Sequence, residues 1–216
     1  MDEAQPAKPR PRIESLSDIV FGLALSIGAI ALVSNPPKTV SGLYVDIASF
    51  GFTFLVLISV WMGYTRIMSA LPVETRRVTT MNSVLLFTVI LEPFLFNILT
   101  SSNSSSPASV SLQGAASSLY GVDIGAMLTI MGVFTLMLID EERHLIPVGM
   151  MGQYKLEMVV RFVGAGAFFV STLPYFGSVS LWYLTAREYL WLAGLLLLRA
   201  RRGIGRRMFG QEPDEG

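Results

Sequence analysis

Apolar residues along this chain run in long unbroken blocks, with no strict alternation of apolar and polar positions. A helix needs about 20 such residues to cross a hydrocarbon core of about 30 Å. Six segments qualify, at about 16–34, 43–67, 80–99, 119–139, 157–173 and 178–198. Unpaired backbone groups are not tolerated in lipid, so each segment is expected to be helical. Asn35-Pro36-Pro37 ends the first, and Pro93 lies inside the third. The turn Asp140-Glu141-Glu142-Arg143-His144 ends the fourth, and Arg199 ends the sixth. The expected fold is an all-α membrane protein with six transmembrane helices per chain.

The flanks are polar. Residues 1–11 read as a disordered cytoplasmic N-terminus, 12–200 as a six-helix domain, and 201–216 as a basic then acidic cytoplasmic tail. The serine-rich stretch 100–118 reads as a mobile extracytoplasmic loop. Its Asn103-Ser104-Ser105 fits the N-glycosylation pattern, a tripeptide that is common by chance.

Composition agrees with the apolar blocks. Of 216 residues 52% are hydrophobic and 15% charged, against about 25% charged in soluble domains. The absence of cysteine excludes disulfides and thiolate metal sites. The sixteen Lys and Arg balance sixteen Asp and Glu, but their placement is asymmetric. All except Lys38 and Arg187 fall on one side of the expected spans. The positive-inside rule then puts both termini in the cytoplasm, and an even number of spans agrees. The expected location is the cell membrane, multi-pass.

Ionisable groups inside spans are costly and face a bundle interior or water. Asp18 opens the first span, where Ser15 and Asp18 have the spacing of a helix-capping pair. Glu92 precedes Pro93 and is expected to line a vestibule or face water near the outer surface. Arg187 and Glu188 each need a separate partner, since neighbouring residues diverge on a helix. Asn82 suits a bond across helices, and Trp61 sits at interfacial depth. No phosphate-binding loop, HExxH, GxSxG or intramembrane His occurs, so an enzyme reading has no support and no cofactor is expected. Nothing suggests a nucleic-acid partner. A TVGYG filter is also missing.

Within the first span Leu23, Ser26, Ile27 and Ile30 fall at i, i+3, i+4 and i+7, so they share one face. That face fits either a packing seam or a pore wall of hydrophobic rings with one hydroxyl ring, gated by dewetting. Gly22, Ala24, Gly28 and Ala29 allow close helix approach elsewhere.

The residues Arg12-x-x-x-Leu16-Ser17-Asp18 resemble the Arg-x-x-x-Phe-Ser-Asp signature on the first helix of the transmembrane protein 175 family of potassium channels. FLVLISVWMGYTR, from Phe54 to Arg66, is similar to that family's second helix. NSVLLFTVILEPF, from Asn82 to Phe94, is similar to its third, with Asn eleven residues before Pro-Phe. The resemblance covers roughly 12–99, and later spans agree only in number and length. It implies a one-unit, prokaryotic-type chain that assembles as a homotetramer around a pore lined by four first helices. It implies a hydrophobic constriction at Leu23 with Ile27 and Ile30, and a potassium preference linked to Ser26. Potassium would pass Leu23, Ser26 and Ile30 without a fixed site or a filter loop, with proton permeation as a possible addition. Arg12, Ser17 and Asp18 carry the signature, with Trp61, Asn82 and Glu92 as supporting polar positions. Membrane lipid is the other expected partner.

Departures from the family pattern have consequences. Leu16 replaces the signature Phe. Gly63-Tyr64-Thr65 stands where many members carry His, so the network joining the motif to the second helix is expected to change. Ser26 stands where some members have Thr, which points to weaker selectivity. Glu92 is an acidic addition expected to concentrate cations at the outer mouth. Two other readings compete: a secondary transporter of a small solute or ion, and a non-transporting membrane scaffold.

Overall fold

A computed structural model describes residues 12–34, 36–37, 39–71, 75–101, 107–140, 146–182 and 184–209. The expectations for 1–11, Lys38, Asn103, His144 and 210–216 lie outside the described residues, as do the side chains of Arg12 and of 201–209.

Seven α-helices make up almost all of the described residues. They are α1 (Arg12–Ser34), α2 (Val40–Met68), α3 (Arg76–Ser101), α4 (Pro107–Ile139), α5 (Met151–Ser171), the short α6 (Pro174–Ser178) and α7 (Ala186–Phe209). Thr39 caps α2 by accepting the Gly42 amide at 3.1 Å. Pro93 is buried within α3, which continues through it to Ser101. Val40–Met68, Arg76–Thr100 and Val110–Ile139 are each long and apolar enough to cross a membrane. The apolar part of α1 is shorter, Ser15–Ile30.

The core sits along α4, which packs between α3 and α5. Its Tyr120, Ile124, Met127, Met131, Phe134 and Leu138 are all buried. They recur at alternating steps of four and three, one stripe along a helix. Close packing on the α5 side needs small residues, because lipid-immersed helices associate through van der Waals contact. At Gly125 an added Cβ would lie 2.8 Å from the Phe169 ring. On the other flank α1 packs against α2 and α3, and α7 closes against α5.

Three sequence expectations change. The stretch 107–118 is not loop: Pro107, whose missing amide is harmless in a first turn, starts a helix that continues through the serines. The capping pair at Ser15 and Asp18 does not form, because α1 already begins at Arg12. The sixth segment does not begin as helix at 178. Strands β1 (Ser180–Leu181) and β2 (Leu184–Thr185) pair antiparallel there, Ser180 with Thr185 and Leu181 with Leu184. Trp182 opens the turn at φ 59°, in the left-handed region that tight hairpin turns require. The helix starts at Ala186, where Glu188 accepts the Thr185 amide at 2.6 Å and satisfies an end donor.

Candidate pore-lining face

Two sides of α1 have opposite surroundings. Ser17, Phe21 and Ala24 are buried against α2 and α3. Phe21 meets the Tyr64 ring at 5.7 Å between centroids. On the other side Leu16, Ile19, Leu23, Ile30 and Val33 are exposed, Leu23 at 52% and Ile30 at 60%. Ser26 is exposed with them, whereas Ile27 is half-buried at the margin. The subunit core therefore leaves Leu23, Ser26 and Ile30 uncovered and partly covers Ile27.

Ser26 donates its hydroxyl hydrogen to the Gly22 carbonyl at 2.8 Å. With that hydrogen engaged, the oxygen lone pairs remain as acceptors on the exposed face. Gly28 faces α2, where an added Cβ would lie 3.6 Å from the Phe50 ring.

The rotation of α1 is set by polar bonds on its buried side. Trp61 of α2 donates its indole N–H to Asp18 Oδ1 at 3.0 Å. Ser17 Oγ and Tyr64 Oη are bonded at 2.6 Å in the core. Asn82 of α3 donates its amide to Ser17 Oγ at 3.4 Å, a long bond. Tyr64 thus makes the link from the second helix, within the Gly63-Tyr64-Thr65 stretch where a changed network was expected. A residue four positions along a helix cannot rotate without carrying its neighbours, so these bonds also aim Leu23 and Ser26 away from the core.

Glu92 is elsewhere. It is 0% exposed, inside the bundle, and Tyr120 of α4 donates to its Oε1 at 3.0 Å. The expectation that it faces water at an outer mouth is overturned by this burial: the α3 face carrying Glu92 turns toward α4. Arg187 is buried at the start of α7, where its guanidinium donates to the Ser171 carbonyl at 2.7 Å and to Ser117 Oγ at 2.6 Å.

Several polar residues escaped the sequence reading. Glu157 and Arg161 of α5 pair within the bundle, and Arg66 of α2 joins Glu157 at 2.6 Å. Arg161 also donates to the Met131 carbonyl at 2.8 Å and to Thr135 Oγ1 at 2.7 Å. Their i, i+4 spacing was a readable signal. Asp123, alone in the apolar run of α4 and buried, was another. Among the described residues no group of three or more His, Cys, Asp or Glu is placed to hold a metal ion.

Comparison with known proteins adds the following. Residues 12–93 match the family model described as endosomal/lysosomal potassium channel TMEM175. The fold matches the crystal structure of a lysosomal potassium-selective channel TMEM175 homolog from Chamaesiphon Minutus, with a TM-score of 0.60 and 16% identity. That match covers 88% of this chain and 96% of the other. No curated protein matches the chain.

Proposed function

We propose that this chain is a member of the TMEM175 family, whose model matches residues 12–93, and that it forms a potassium-preferring cation channel and is not an enzyme. Four copies place α1 around a central axis, with the Leu23–Ser26–Ile30 face toward it. Leu23 forms the narrowest hydrophobic ring, and Ile30 a second ring two turns along. Ile27 supports the wall from its margin. Ser26 supplies the hydroxyl ring whose lone pairs face a passing, partly dehydrated cation. Such a path needs no filter loop: it closes by dewetting at Leu23 and conducts when that ring widens. The chain crosses the cell membrane six times with both termini in the cytoplasm, and lipid covers the outer helices.

The observation that carries this reading is the exposed apolar face of α1 beside a buried face pinned by Asp18 and Ser17. Copies of the same helix packed around an axis would give this face, with its Ser26 hydroxyl, a surface other than lipid. The test is a potassium-driven flux into liposomes reconstituted with the purified protein. Flux in the unaltered protein, changed by Leu23→Ala and by Ser26→Ala, is the expected result. A stable monomer that carries no flux overturns it.

A further inference from the structure

Where α2, α3 and α4 meet, the core contains oxygen atoms that no hydrogen-bond donor serves. Glu92 of α3 is 0% exposed and Asp123 of α4 is 4% exposed. Asp123 lies one turn after Tyr120, which bonds Glu92, so the two carboxyls share the contact of α3 with α4, and the Thr53 hydroxyl of α2 lies beside Glu92 without an aligned bond. Tyr120 serves Glu92 Oε1. Glu92 Oε2, Asp123 Oδ1, Asp123 Oδ2 and Thr53 Oγ1 have no partner among the described residues. Buried polar atoms are nearly always satisfied, so four in one place need an explanation.

The nearby cations do not supply it. Arg161 and Arg66 are engaged by Glu157. Arg187 is engaged by the Ser171 carbonyl and Ser117. Every unserved atom is an oxygen, the donor type that hard cations select. The oxygens come from three helices, so one ion would tie α2, α3 and α4 together.

We propose that Glu92, Asp123 and Thr53 form a binding site for a small monovalent metal cation within each subunit, apart from the exposed face of α1. Sodium, a small hard cation suited to oxygen ligands, is the ion the test uses. Tyr120 donates to Glu92 Oε1 beside the site and leaves Oε2 toward it. The site does not depend on the pore reading, because none of its residues lies on α1.

The experiment is thermal unfolding of the purified full chain at constant ionic strength, with sodium replacing choline. A ligand that binds only the folded state raises the midpoint with the logarithm of its concentration. A rise of roughly 5 °C is expected once sodium exceeds its dissociation constant about a hundredfold. Asp123→Asn keeps the side-chain shape and brings its own donor, so it should fold and lose the sodium response. Thr53→Val removes one ligand oxygen and neither charge, and should shift the response to higher sodium. Leu23→Ala should keep it. Equal midpoints in sodium and choline overturn the proposal. So does a sodium response that survives both Asp123→Asn and Thr53→Val, one lost in Leu23→Ala, or a midpoint that follows pH alone.

Discussion

The indole N–H of Trp61 reaches Asp18 Oδ1 at 3.0 Å and ties the second helix to the first, five residues before Leu23. The bond is charge-assisted and half-buried, the kind that contributes about 1.5–3 kcal/mol. Trp61→Phe keeps most of the ring and removes the donor. It should lower stability by about 1–3 kcal/mol, read as a lower unfolding midpoint. The same substitution should broaden the conducting behaviour of the reconstituted protein, since α1 loses a rotational stop. An unchanged midpoint and unchanged flux would show that the bond does not hold the helix.

Tyr64 and Ser17 share a bond of 2.6 Å in the core. Tyr64→Phe removes the short bond to Ser17 and keeps the long one from Asn82, at a cost of about 1–3 kcal/mol. Ser17→Ala in the same background should add little, because the partner is already gone. A double-mutant cycle on these two residues measures the coupling, and additive losses would count against it.

Leu23 is half-exposed in the subunit, so Leu23→Ala should leave the isolated fold nearly as stable. Its expected effect is on transport: a wider, wetter constriction, greater cation flux and weaker potassium preference. Ser26→Ala should change ion preference more than flux, because it removes the acceptor oxygen and little volume. Liposome flux with potassium and sodium in parallel checks both substitutions. A Leu23→Ala protein with reduced flux and a lowered midpoint would assign Leu23 to packing.

Glu157 has two arginines in unequal surroundings. The Arg66 side chain is 45% exposed and that of Arg161 only 2%. Arg66→Gln should cost about 1 kcal/mol or less, as exposed ion pairs do. Arg161→Gln removes the buried partner of Glu157 together with the bonds to Met131 and Thr135, and should cost about 3–5 kcal/mol. Gly63→Ala tests the same site from the other side. Its Cβ would lie 2.7 Å from Arg161 Nη2, so the guanidinium must move. Unfolding midpoints ordered Arg66→Gln above Gly63→Ala above Arg161→Gln are the expected outcome. Equal losses for the two arginine variants would remove the role of burial.

The long helices were readable because a hydrocarbon core demands length and apolarity, and both are visible in a linear sequence. The residues around Ser17, Asp18, Trp61 and Asn82 were readable as well, because a local motif placed them on successive helices. Tyr64 was visible only as a departure; that its hydroxyl reaches Ser17 depends on how α1 and α2 cross. The hairpin at 180–185 escaped because its residues are as apolar as a span, and hydropathy does not register a two-residue turn. The first turns of α4 escaped for the opposite reason, since serine-rich sequence reads as loop until packing is known. Glu92 was noticed but misplaced: proximity to the outer end of α3 suggested water, and only the rotation of α3 shows that it points at Tyr120 and Asp123.

One helix carries two kinds of information on opposite sides. The residues of α1 that hold it in the subunit, Ser17, Asp18, Phe21 and Ala24, are distinct from the uncovered Leu23, Ser26 and Ile30. Substitutions on the uncovered side can therefore accumulate without unfolding the protein. On the proposed function, such substitutions would alter permeation one residue at a time while the scaffold stays the same.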